Sequence, residues 1–191
     1  MSVDNAELDR LALLVVDVQQ GFDDPVWGRR NNPQCETNIA ALVAGWREAG
    51  RPVVFVRHNS LEPGSPLRPG QPGNDFKPVI TGDPDFLVTK SVNSCFHGDQ
   101  DLDGWLRERD LAGLVICGIT TNHCCDTTAR VGGNLGHRVL FALDATHTFD
   151  RTSPDGENVS AETLSHVTAT NLHGEFATVV STAELLDAPA G

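Results

Sequence analysis

The stretch "LALLVVDV", residues 11–18, is a short, continuous apolar run that ends in an acid. A run without polar alternation reads as a strand covered on both faces. The next segment changes period: "TNIAALVAGWREAG" (37–50) spaces its apolar residues as a helix does, and Gly50 supplies a stop. "RPVVFVRH" (51–58) is again an apolar run, and from here the alternation repeats. Further strands are expected at "DFLVTK" (85–90), "AGLVICGI" (112–119), "HRVLFALDA" (137–145) and "EFATVVST" (175–182). Helices are expected at "DQDLDGWLRERDL" (99–111), "NHCCDTTARVGGNLG" (122–136), "SAETLSHVTATNLHG" (160–174) and, briefly, "TAELLDA". Ser160 with Glu162 is one position short of a capping box. Strands alternating with helices predict an α/β fold, a three-layer α-β-α sandwich around a six-stranded, mostly parallel open sheet.

The chain of 191 residues suits one domain, residues 1–191, and contains no repeat or dividing linker. Residues 1–10 and 187–191 are expected to be flexible termini. The Pro/Gly-rich stretch 61–82 is too long for a plain connection, and reads either as a lid or binding loop or as a disordered excursion. The acidic start "MSVDNAELDR" lacks the basic and apolar regions of a signal peptide, and no apolar run is long enough to cross a membrane. Five cysteines, at 35, 95, 117, 124 and 125, are odd in number and do not suggest a disulfide framework, so a reduced, cytoplasmic setting is expected. The net charge of −12 argues against nucleic acid and anionic membrane as partners. It serves solubility, or else a field that draws in a cationic substrate.

Open α/β sheets bind ligands beyond the carboxyl ends of their strands. Strand one ends at Asp17, strand three at Lys90, and strand four runs to Gly118 with Cys124 a short turn later. An acid, a base and a thiol therefore meet at one edge, whereas Cys117, inside strand four, belongs to the core. At a helix start, free N–H groups and the helix dipole favour a thiolate, and Lys90 would lower the thiol pKa further. Asp17 suits a proton acceptor and donor, and backbone N–H groups suit a developing oxyanion. Each residue also has a plain structural reading: Asp17 as a turn cap, Lys90 as a solvated charge, Cys124 as a small buried residue. Their joint placement favours a site for attack on a carbonyl carbon.

These residues resemble the isochorismatase-like cysteine hydrolases, a superfamily that includes nicotinamidases and N-carbamoylsarcosine amidases. "LLVVDVQQGF", "VTKSVNSCF" and "GITTNHCCDTTA" resemble its acid, lysine and nucleophile segments, and the likeness runs from about Leu11 to Leu186. The resemblance implies a Rossmann-like sandwich and a catalytic set of Cys124, Asp17 and Lys90. The family cysteine comes three residues after the motif threonine, Thr121, so Cys125 should face the core. Adjacent cysteines are also poor metal ligands, since zinc sites space theirs more widely. The resemblance further implies a cis peptide at Ile119–Thr120 and an oxyanion hole from the N–H groups of Thr120 and Cys124.

Nicotinamidases carry an Asp-x-His…His metal cluster after strand two. Here His58 stands without the acid two residues earlier or a second histidine soon after, so neither metal nor cofactor is expected and nicotinamide is disfavoured. His58, His123 and His147 follow strand ends and are candidates for the pocket. His137, His166 and His173 read as surface or packing residues. Phe22, Trp27 and Phe96 are candidates for its apolar wall, with a subunit interface as the alternative for Trp27, since family members are commonly homodimers or homotetramers. "RHNSLEPGSPLRPGQPGN" (57–74) resembles the loop of a subgroup that includes streptothricin hydrolase, which opens a cyclic amide in a cationic antibiotic. The resulting expectation is hydrolysis of a C–N bond in a small amide, lactam or carbamoyl compound through a thioester. The alternatives are a vinyl ether hydrolase in which Cys124 is incidental, and a binding protein on the same fold.

Overall fold

Strand β1 (Leu11–Val16) is buried along its whole length, and this places it inside the sheet. Residues 3–189 are described by the structure, a computed structural model. The sheet has the order β3-β2-β1-β4-β5-β8, with β2 at Val53–His58, β3 at Phe86–Lys90, β4 at Gly113–Ile119, β5 at Arg138–His147 and β8 at Thr178–Val180. All five pairings are parallel. The strand order reverses between β1 and β4, so their carboxyl ends bound the crevice where such sheets bind ligands.

Alternate residues of β1 serve two cores. Leu11, Leu13 and Val15 pack with Ile39, Leu42 and Trp46 of helix α2 (Cys35–Glu48). Ala12, Leu14 and Val16 pack on the other face with Leu102 and Leu106 of α3 (Leu102–Glu108) and Ala129 of α4 (Asp126–Asn134). Each fully buried aliphatic side chain contributes about 1.5–3 kcal/mol, so this strand is among the strongest constraints on the fold. β1 and β4 approach closely at Gly118 (φ 128°), where a Cβ would come within 2.1 Å of the Val16 carbonyl oxygen. Only glycine fits there.

Several boundaries differ from the sequence reading. β5 continues to His147 through a register shift opposite Ile116–Gly118. The last strand keeps only Thr178–Val180. Before it, Glu175, Phe176 and Ala177 turn back onto the Leu172 carbonyl at the end of α5 (Ala161–Leu172). After it, Ser181 and Glu184 form a full capping box that opens α6 (Thr182–Leu186). Ser160 caps α5 on its own through the Thr163 N–H. A two-stranded hairpin, β6 (Arg151–Thr152) with β7 (Asn158–Val159), follows β5 and was not read from the sequence.

The described parts of the termini are packed rather than loose. Residues Asn5–Leu8 form a short helix α1 that buries Leu8. Asn5 donates to the Pro189 carbonyl at 3.1 Å and, from its side chain, to Ala188 at 2.9 Å. Residues 1, 2, 190 and 191 of that expectation lie outside the described residues. The stretch 61–82 is docked, not an excursion. Gln19 accepts from the His58 N–H and donates to the Asn74 carbonyl, both at 2.8 Å, while Asn74 donates to the Leu67 carbonyl at 2.9 Å. Lys77 pairs with Glu36 at 3.0 Å and with Asp23. Among the described residues, no helix is long and apolar enough to cross a membrane.

Candidate active site

Asp17 is the first residue past β1, and it takes a left-handed conformation, φ 51°. Aspartate tolerates this region better than most residues. Its N–H still donates to the Val56 carbonyl at 3.0 Å, so the residue is held at the sheet edge. Lys90, the last residue of β3, is 1% exposed. A lysine buried to this degree requires a partner. Its Nζ lies 2.6 Å from Asp17 Oδ2, 3.3 Å from His58 Nδ1 and 3.4 Å from Cys124 Sγ. Burial is the largest single effect and opposes the ammonium charge, but the charge and hydrogen bond of Asp17, together with the nearby Cys124 and Cys95 sulfurs, outweigh it and hold Lys90 above the ordinary lysine range.

Cys124 sits in a π-helical turn, Thr121–Cys125, that leads into α4. The peptide before this turn, Ile119–Thr120, is cis. The Thr120 carbonyl accepts from the N–H groups of His123 at 3.3 Å and Cys125 at 3.2 Å. The second bond spans five residues and passes over the Cys124 N–H. Such π turns recur at functional sites. Both thiols belong to the core that holds Ala129 and Leu172, but Cys125 is fully buried there while Cys124 also opens on a cavity.

The ionisation of Cys124 differs from the sequence expectation. Its thiol is held well above the usual range, first by burial and then by the Asp17 carboxylate, against a smaller opposing pull from Lys90. Burial and the neighbouring carboxylate outweigh the Lys90 charge on which the expectation relied. Cys124 therefore rests as a thiol, and its proton must leave when sulfur attacks. Asp17 Oδ1, which is buried and accepts no hydrogen bond among the described residues, is the available acceptor.

His58 faces the same centre. An ammonium can only donate, so His58 Nδ1 accepts from Lys90, and the neutral ring carries its hydrogen on Nε2. Burial and then the Lys90 charge push its pKa down. Asp17, His58 and Cys124 bring ligand-type atoms within 4.8 Å of one another. These residues do not fit a separate metal ion, because the Lys90 ammonium already lies within hydrogen-bonding reach of all three.

A cavity of about 130 Å³ opens on Cys124. Phe22, Trp27 and Leu67 form its apolar wall, and Asp17, His58, Asn93, Thr120 and His123 supply polar groups. Trp27 is fixed by a 2.8 Å bond from Nε1 to the Gly21 carbonyl and packs on Phe22 at 5.2 Å. Of the sequence candidates, Phe96 lies elsewhere: it stacks on His137 at 5.5 Å and packs against the core on the α4 side. The residue three positions after Lys90 that does reach the site is Asn93, whose Oδ1 is 3.6 Å from Cys124 Sγ. His147 is fully buried beside Phe149 and outside the cavity wall. His137 pairs with Asp103 at 2.6 Å, and His166 is exposed. Asn93 and Leu67 were not singled out in the sequence. An unremarkable asparagine near a motif lysine, and a leucine inside a Pro/Gly-rich loop, carry no periodic signal.

The chain belongs to the isochorismatase family, whose domain model matches residues 11–184. It is 37% identical to isochorismatase family protein YrdC of Bacillus subtilis (strain 168), over 94% of this chain and 96% of that protein. It is 32% identical to nicotinamidase 3 of Arabidopsis thaliana, over 73% of this chain and 74% of that one. It is 34% identical to streptothricin hydrolase of Streptomyces noursei, over 73% of this chain but half of that enzyme. Among solved structures, an isochorismatase-family protein from Chromobacterium violaceum ATCC 12472 superposes with a TM-score of 0.92 at 39% identity, covering 98% of this chain and 97% of that one. A cysteine hydrolase from Pseudomonas syringae pv. phaseolicola 1448A gives 0.83 at 28% identity, covering 94% and 92%. The class of this protein is thus an isochorismatase-family cysteine hydrolase.

Proposed function

We propose that this chain hydrolyses a C–N bond in a small amide, lactam or carbamoyl compound through a thioester on Cys124. The observation that carries the reading is the buried Lys90 ammonium, which touches both Asp17 and Cys124. Cys124 gives its proton to Asp17 as Sγ attacks the carbonyl carbon. Lys90 keeps its contact with sulfur while negative charge builds there, and holds Asp17 in place. The N–H groups of Thr120 and Cys124 take the oxyanion. The tetrahedral intermediate collapses, the C–N bond breaks, and the amine leaves with the proton from Asp17. A water molecule then loses its proton to Asp17 and attacks the thioester, and sulfur departs as the thiol when Asp17 returns that proton.

The small cavity supports a small acyl head. Its volume of about 130 Å³ equals roughly four waters, which suits a carboxamide with a short stub. The nicotinamidase relative is named for an amide, which agrees with this chemistry. The homo-oligomer that the family resemblance implies is part of the same proposal and is checked by light scattering.

The test is a panel of small amides, lactams, ureides and one vinyl ether, assayed for ammonia, amine or alcohol release with wild type, Cys124→Ala and Asp17→Asn. The proposal requires turnover of a C–N substrate that both substitutions abolish. Turnover of the vinyl ether by Cys124→Ala would replace it with the second enzyme class. No turnover of any compound would favour a binding protein.

A further inference from the structure

The catalytic cavity is not closed. Trp27, Thr120 and His123 also line a second cavity of about 350 Å³, a larger vestibule that adjoins the small chamber at Cys124. Its far wall is built from Phe149, Asp150 and Arg151, where β5 gives way to the β6–β7 hairpin. The two charged residues there differ in what they have left to offer. Asp150 is fully engaged: Oδ2 takes Arg29 Nε at 3.1 Å, and Oδ1 accepts the Ala161 N–H at 2.8 Å. Arg151 makes no ion pair or side-chain hydrogen bond among the described residues, although its backbone is fixed by pairing with Val159. His123, between vestibule and chamber, is half-buried, and burial and then the Arg151 charge push its pKa down. Its ring thus adds no positive charge at neutral pH, and the Arg151 guanidinium lies near enough to act on it.

We propose that Arg151 reads an anionic tail, a carboxylate or similar group, on a substrate whose carbonyl end reaches Cys124. This rests on the hydrolase reading above and names the substrate class it would take. The net charge of −12 suggests a cationic ligand, but that charge is spread over the whole surface, and the screening length in physiological salt is about 8 Å. The local balance decides, and in the vestibule the free charge is positive. A guanidinium also offers a planar pair of donors that matches a carboxylate. The aromatic faces of Trp27 and Phe149, stacked at 5.7 Å, would line the path between tail and head.

The experiment reads alkylation, so it needs no known substrate. Wild type, Arg151→Gln and Arg151→Glu are treated with three iodoacetamides whose N-alkyl tails have equal length and end in a carboxylate, a methyl or a trimethylammonium group. Rates at Cys124 are followed by peptide mass spectrometry. The proposal expects the carboxylate probe to outpace the neutral one in wild type by about fivefold, the scale of one exposed charge pair. That ratio should fall to near one in Arg151→Gln, invert in Arg151→Glu, and shrink in wild type at 1 M salt. Labelling of Cys124 with no charge preference, or with a preference that survives Arg151→Gln, overturns the tail site and leaves the nucleophile reading intact. If none of the three probes labels Cys124 even in Asp17→Asn, where loss of the carboxylate should let the thiol ionise, both fall together.

Discussion

Acid should weaken this fold through one buried ring. His147 is fully buried at the end of β5, and neither ring nitrogen has a hydrogen-bond partner among the described residues. Burial, reinforced by the Arg30 charge, lowers its pKa to about 3. The unfolded chain binds the same proton at about 6.5. Between these values only the unfolded state is protonated, so the contribution is complete above pH 6.5 and is lost as pH falls toward 3. At pH 5 the gap from the unfolded value is 1.5 units, which amounts to about 2 kcal/mol. Glu36 does not confuse this window. Burial works against its charge, but bonds to Arg30 and Lys77 outweigh burial and hold it at about 2, so its contribution fades only below about 4.5. His58 and His123 are also lowered and act in the same direction as His147, so a variant is needed to isolate the ring. His147→Phe keeps the shape and removes the titration. Urea unfolding followed by tryptophan fluorescence at pH 7 and pH 5 should show a loss in wild type that is smaller in His147→Phe by about 2 kcal/mol. An equal loss in both proteins would refute the reasoning.

Three other perturbations follow from the geometry. Lys90→Met leaves Asp17 buried without its cation, which should cost about 3–5 kcal/mol in urea unfolding as well as all turnover. Asp17→Asn should separate two readouts: removing the negative charge lets the Cys124 thiol ionise more readily beside Lys90, so iodoacetamide labelling speeds up while hydrolysis stops; slower labelling would contradict the assignment of Asp17 as the group that holds the proton on sulfur. Ser181→Ala removes one half of the α6 capping box and should lower stability by about 1 kcal/mol, measured by thermal unfolding, with turnover at Cys124 unchanged.

The parts of the fold that were legible in the sequence are those where one physical rule acts alone. β1, β2 and β4 are buried on both faces, and their apolar runs state this directly. The strand ends could therefore be read as a ligand edge, and Asp17, Lys90 and Cys124 lie together there. Where two signals compete, the reading drifted. "EFATVVST" looks like one strand, but the turn onto Leu172 takes its first three residues and the Ser181 cap takes its end. Phe96 follows the lysine segment in sequence, yet the short turn at Cys95–His97 carries its ring to the α4 side of the sheet. The Cys124 pKa was misread because dipole and charge can be inferred from order along the chain, whereas burial cannot. Arg151 reaches its cavity from a two-residue strand and Asn93 from a bend, and both segments are too short to show a period.

The most direct test of the account is peptide mapping of the wild-type protein, quenched in acid during turnover of a C–N substrate from the amide panel. The account predicts a mass increase equal to the acyl portion of that substrate on the peptide that carries Cys124, absent in Cys124→Ala. Turnover that continues in Cys124→Ala, with no acyl group found on that peptide in wild type, would contradict it.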